Sequence, residues 1–105
     1  MNSYKVKVSI DGKNDLRRYI SYLVINKKSK QAATSVMDDF TETRTILADV
    51  AESLAKPESE ELLKRGLKRI NFQRHNYFCL YKIEDDKAII TNIFHGREDF
   101  ENKLS

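Results

Sequence analysis

Tyr4, Val6, Val8 and Ile10 alternate with Lys5, Lys7 and Ser9, the period of two that buries one face of a β-strand. After Asp11-Gly12 the period changes. Leu16, Tyr19, Ile20, Leu23 and Val24 recur at helical spacing, Asp11 or Asn14 is placed to cap that helix, and Arg17, Arg18 and Ser21 fall on its polar side. Beyond the short polar link Asn26-Lys27-Lys28, Ser29 can cap a second helix. There Ala33, Val36, Phe40, Thr43, Leu47, Val50 and Leu54 step by three and four, while Asp38, Asp39, Glu42, Asp49 and Glu52 sit off the seam. Ending near Lys56 before Pro57, this helix would run about 26 residues, or ~39 Å at 1.5 Å per residue. So short a link predicts an antiparallel helical hairpin, and packing on the first helix and a sheet accounts for the heptad-like stripe.

Pro57-Glu58-Ser59-Glu60-Glu61 reads as an acidic connector, after which the pattern returns to strands. Gly66-Leu67-Lys68-Arg69-Ile70-Asn71-Phe72 is followed by the polar turn Gln73-Arg74-His75-Asn76, then by the aromatic run Tyr77-Phe78-Cys79-Leu80-Tyr81-Lys82-Ile83. Glu84-Asp85-Asp86-Lys87 is a second break, and Ala88 to His95 is β-branched and apolar until Gly96 interrupts it. The order strand, helix, helix, strand, strand, strand predicts one α+β domain over residues 1–105, a two-layer fold with an antiparallel sheet and the helical hairpin on one face.

Composition narrows the function classes. No stretch approaches the ~20 consecutive apolar residues of a membrane helix, and Met1-Asn2-Ser3-Tyr4-Lys5-Val6 lacks the apolar core of a secretory signal, so a cytoplasmic protein is expected. The single cysteine, Cys79, lies among strand aromatics and is expected as a buried thiol without chemistry. Two isolated histidines and one cysteine have no ligand spacing, and no Gly-rich phosphate loop is present, so neither metal nor cofactor is expected.

The net charge of +3 hides opposed blocks. Residues 1–37 carry eight Lys/Arg against two acids, residues 38–61 two against eight, residues 62–83 six against none, and residues 84–105 three against six. Separate acidic and basic surfaces on a small fold suggest a charged partner, although solvated faces explain such blocks too. Lys68, Arg69 and Arg74 cluster without acids nearby and are the candidates for an anionic partner, but adjacent Lys68 and Arg69 must point to opposite faces of a strand. His95 shares a strand face with Ile93 and Ile89 by alternation, and a hydrogen-bonded histidine at a sheet edge explains it as well as a functional one. His75 falls in a turn, where solvation is the ordinary expectation, and Arg97 with Asp99 would make a local ion pair.

The element order, together with Gly66-Leu67-Lys68-Arg69-Ile70, Asn76-Tyr77-Phe78-Cys79-Leu80-Tyr81-Lys82-Ile83 and Ile93-Phe94-His95-Gly96-Arg97-Glu98-Asp99, resembles the toxins of the RelE/ParE superfamily of type II toxin–antitoxin modules, also known as plasmid stabilisation proteins. The three segments look like the family's Gly-apolar-Arg strand, its Tyr-apolar-apolar-Tyr strand and its terminal His-Gly-Arg-Arg-Asp element. The resemblance implies a growth-inhibiting toxin blocked by a cognate antitoxin, acting either on the ribosome with its mRNA or on DNA gyrase, as a homodimer or a toxin–antitoxin hetero-oligomer. An amphipathic antitoxin segment would lie across an apolar groove, with Ala33, Val36, Phe40 and Leu47 as its expected contacts.

Two mechanisms follow from that resemblance. A RelE-like ribonuclease needs a base, a clamp for the phosphorane charge and an acid for the leaving oxygen, and Lys68, Arg69, Arg74, His75, His95 and Arg97 are the candidates. The sequence departs from that pattern, because Phe78 stands where RelE carries arginine, Ile70 replaces a lysine and no tyrosine closes the chain. A ParE-like toxin inhibits gyrase by binding, without a hydrolytic site, and the His95 to Asp99 ending is closer to that branch; Lys68, Arg69, Arg74, His95 and Arg97 would then bind the target. Outside the family stands a small basic nucleic-acid-binding module, which would need exposed aromatics on the basic surface.

Overall fold

The structure, a computed structural model, describes residues 3–96. Along these residues run β1 (Lys5–Val8), α1 (Ile10–Ile25), α2 (Lys30–Val50), α3 (Glu60–Lys64), β2 (Lys68–Asn71), β3 (Tyr77–Glu84) and β4 (Lys87–His95). The α+β class and the hairpin of helices against a sheet are as expected. The sheet order is β1-β4-β3-β2, with β2–β3 and β3–β4 antiparallel.

One strand corrects the expectation of a wholly antiparallel sheet: β1 pairs parallel to β4, Val6 beside Ala88 and Val8 beside Ile90. The cause is the first helix. Ser9 Oγ accepts the Gly12 N–H at 3.0 Å and starts α1 one residue after β1, so Ile10 opens a helix, 77% exposed, and does not extend the strand. From there α1 continues in the direction of β1. A Cβ on Gly12 would stand 3.0 Å from the Ile90 carbonyl, the Asp15 carboxylate accepts the Ile93 N–H at 2.9 Å, and the Tyr19 hydroxyl accepts the His95 N–H at 3.2 Å. One helical turn matches two strand residues in length, so two α1 side chains replace the strand that β4 lacks beyond β1. α2 then reverses and β2 reverses again, which leaves β2, and through the meander β4, parallel to β1.

Ser29 caps α2 as its sequence predicts, its Oγ accepting the Ala32 N–H at 3.0 Å. The helix ends at Val50, shorter than the apolar stripe suggests. The carbonyls of its C-cap and of the turn just beyond have partners from the sheet: Tyr81 Oη donates to Ala51 O at 2.7 Å, and Lys68 Nζ donates to the carbonyls of Ala51, Glu52 and Leu54 at 3.4, 3.1 and 3.0 Å.

The main core lies between the hairpin and one sheet face, built on Val36, Phe40, Leu47, Ile70, Cys79, Tyr81, Ile90 and Ile93. A second cluster on the outer face joins Phe78, Leu80 and Phe94 to Leu62 and Leu67, so the unexpected helix α3 covers part of that face. In β4, Thr91 is an extra residue where Leu80 pairs with Asn92 but Tyr81 with Ile90. This bulge breaks the alternation. His95 keeps Ile93 as a face neighbour, and Ile89 turns to the opposite side.

Candidate functional site

The β2–β3 turn is built on one buried acid. Asp39, with no solvent exposure, accepts the backbone N–H groups of Gln73 at 2.9 Å, Arg74 at 2.9 Å and His75 at 2.8 Å. Burial pushes its carboxyl pKa up, yet the N–H groups of Arg74, His75 and Gln73 and the Arg74 charge outweigh that and hold it below the usual carboxylate range. Fixed this way, the turn places the Arg74 guanidinium in an ion pair with Glu42, which raises the arginine pKa, and the His75 Nε2 within 2.9 Å of Ser35 Oγ.

Next to the turn, the His95 ring stands edge-on to Tyr77 with centroids 5.2 Å apart, and Tyr77 in turn meets Tyr19 at 5.1 Å and Phe72 at 5.5 Å. Gly96 N–H donates to Asn76 O at 2.7 Å, and a Cβ on Gly96 would overlap the Asn76 side chain. The glycine after His95 therefore lets the end of β4 close against the turn.

Strand alternation separates Lys68 from Arg69. Lys68 lies on the hairpin side with its ammonium on the carbonyls that end α2. Arg69 lies on the outer face, its guanidinium 3.8 Å above the Phe78 ring, with Nε donating to Asn71 Oδ1 at 2.8 Å. Burial lowers the Arg69 pKa from its ordinary value, and a guanidinium so lowered is still charged at neutral pH. Phe78 packs there against Phe94, centroids 5.8 Å apart, so a ring occupies the middle of the face.

A sequence model of the family described as the ParE toxin of the type II toxin-antitoxin system, parDE, matches residues 6–100. The chain belongs to the ParE toxin family. Solved structures agree in fold. The chromosomal ParDE system of P. aeruginosa superposes with a TM-score of 0.71 at 19% identity, over 89% of this chain and 96% of that one. The RelBE2 toxin–antitoxin complex of Mycobacterium tuberculosis gives 0.58 at 21% identity, over 89% and 98%, and the E. coli DinJ-YafQ complex 0.53 at 11%, over 89% and 92%. No curated protein matches the chain by sequence. No helix among the described residues is long and apolar enough to cross a membrane.

This ParE-family toxin distributes its candidate residues over several surroundings. Arg74 and His75 lie on the α2 side of the turn, His95 among the tyrosines, Lys68 at the end of α2 and Arg69 on the outer face. Arg97 lies outside the described residues. Ala33, Val36, Phe40 and Leu47, expected as antitoxin contacts, are only 5%, 3%, 4% and 0% exposed. Val36, Phe40 and Leu47 belong to the main core and Ala33 is buried as well, so none of the four is exposed in this structure. The sequence pattern sets Asp39 off the seam, yet it stands three residues after Val36 and four before Thr43, spacing that puts it at the seam's margin.

Proposed function

We propose that this ParE-family toxin stops growth by binding DNA gyrase, and that a cognate antitoxin holds it inactive. The observation that carries the reading is Phe78. Its ring fills the centre of the outer face between Arg69 and Phe94, where ribonuclease chemistry would need a cation and a proton carrier together. The described candidates for acid and base are tied into different parts of the fold, an arrangement suited to binding and poor for concerted proton transfer. Arg69 is the leading target contact: a planar, oriented guanidinium on an apolar platform suits a carboxylate or phosphate of a partner. Arg74, His95 and Arg97 would extend the contact, with Lys68 supporting it from the end of α2.

The antitoxin reading rests on the family and on relatives solved as toxin–antitoxin complexes. Controlled expression of the chain tests both parts. Growth should slow while protein synthesis, followed by pulse-labelling, continues through the first minutes, and co-expression of the adjacent small gene product should restore growth. Normal growth with abundant soluble protein would sink the toxin reading, and an immediate collapse of synthesis would replace gyrase binding with the ribosome-dependent nuclease.

A further inference from the structure

The cations of the first helix differ from those of the sheet. On the sheet and its turns, Lys5 and Lys87 pair with Asp86, Lys82 with Glu84 and Arg74 with Glu42, and on α3 Arg65 pairs with Glu61. Along α1 and its link to α2 the acids run out. Residues 12–37 carry six Lys/Arg against one acid, and that acid is already engaged, since Asp15 accepts the Ile93 N–H at 2.9 Å and pairs with Arg18 at 3.5 Å. Among the described residues no carboxylate pairs with Lys13, Arg17, Lys27, Lys28 or Lys30, and all five are exposed. The next acids along the chain are turned the other way. Asp39 is buried on the β2–β3 turn, Glu42 pairs with Arg74, and Asp38, one helical turn before Glu42, acts on the same arginine. The apolar face of α1, with Leu16, Tyr19, Ile20 and Leu23, packs on the main core. Its solvent face runs from Lys13 and Asn14 through Arg17 and Arg18 to Ser21 and Tyr22, where Lys27 Nζ stands 5.8 Å from the centre of the Tyr22 ring.

We infer that the solvent face of α1 and the link that follows it bind the phosphate backbone of duplex DNA without regard to base sequence. Lys, Arg, Asn, Ser and Tyr are the side chains that hold phosphate and set a protein on a duplex, and this face carries all five. From Lys13 to Ile25 it spans about 18 Å at 1.5 Å per residue, the length of roughly five base pairs. Single strands are bound by stacking successive bases on exposed rings, and among the described residues Tyr22 is the one exposed aromatic, at 48%. A lipid surface takes a broad apolar helix face, which α1 buries in the core. Duplex phosphate is therefore the partner that the face fits. α1 flanks β4 beyond the end of β1, whereas Arg69 lies on β2 at the other edge of the sheet, so DNA and a protein target would occupy separate surfaces. The inference goes beyond gyrase binding and does not require it.

The test is fluorescence anisotropy of the purified full chain with a short labelled duplex of mixed sequence, at several salt concentrations. Wild type is compared with Arg17→Glu/Lys28→Glu and with Lys56→Glu/Lys64→Glu, which changes the net charge equally away from α1. Circular dichroism melts check that each variant folds, and Arg17→Gln/Lys28→Gln replaces the first pair if it does not. Expected for wild type is binding that weakens with salt at a log–log slope of about −4, as for some five phosphate contacts. The α1 pair should bind at least tenfold more weakly, its glutamine form at least threefold, and the control pair within twofold of wild type. Absence of salt-dependent binding by wild type overturns the inference, and so do equal losses in the two pairs, which would mean that net charge alone attracts the duplex. Binding to vesicles of phosphatidylserine and phosphatidylcholine but not to the duplex would give the face to a membrane and overturn it as well. Each of these failures leaves the gyrase reading intact.

Discussion

The Asp39 carboxylate, buried in α2, accepts the His75 N–H at 2.8 Å across 36 residues of sequence. With Gln73 and Arg74 it completes a three-bond clamp that joins the β2–β3 turn to the helical hairpin. Asp39→Ala should cost about 3 kcal/mol, because it removes the buried acceptor that three backbone N–H groups of the turn share. Asp39→Asn keeps the shape but can satisfy fewer of the three donors, and should cost about half as much. Chemical denaturation at pH 7 measures both.

The same carboxylate gives a pH signature. Its folded pKa is lowered, so the stability it contributes is fully present above the ordinary carboxylate pKa of 3.8 and is lost as pH falls through the lower folded value. Melts of wild type and Asp39→Asn from pH 7 to pH 3 should converge below about pH 4. A difference constant across that range would mean that the charge of Asp39 is not what holds the turn.

Lys68 and Tyr81 meet at the end of α2, where both donate to Ala51 O. Tyr81→Phe should cost about 1 kcal/mol and Lys68→Met about 1–2 kcal/mol. Because they share an acceptor, each donor partly makes up for the loss of the other, and the double variant should be more destabilised than the sum. Strict additivity in a double-mutant cycle would show that the two residues act independently.

Cys79 has no exposure, and burial pushes its thiol up to about 12. Labelling by a thiol reagent at pH 8 should therefore proceed no faster than opening of the core, and should become immediate in denaturant. Fast labelling of the native protein would contradict the packing of β3.

The sequence pattern reached the class of fold, the three-strand meander and the hairpin because each rests on period and on local turn chemistry. It missed the direction of β1 because Ile10 continues the alternation that ends at Val8, while the deciding contact, Ser9 Oγ on the Gly12 N–H, looks like any other serine in sequence. The Thr91 bulge is equally silent, yet it decides which face Ile89 occupies. The candidate site was legible as a list of cations and histidines. Their environments were not, since Lys68 on the α2 carbonyls, Arg74 on Glu42 and Arg69 over Phe78 all depend on tertiary partners between 9 and 32 residues away.

Gyrase supercoiling measured beside mRNA integrity on translating ribosomes, with one preparation of the purified toxin, tests the binding mechanism most directly. Inhibited supercoiling with intact mRNA, relieved by Arg69→Glu, is the predicted result. Cleavage of ribosome-bound mRNA at codon-positioned sites with unimpaired supercoiling would contradict it.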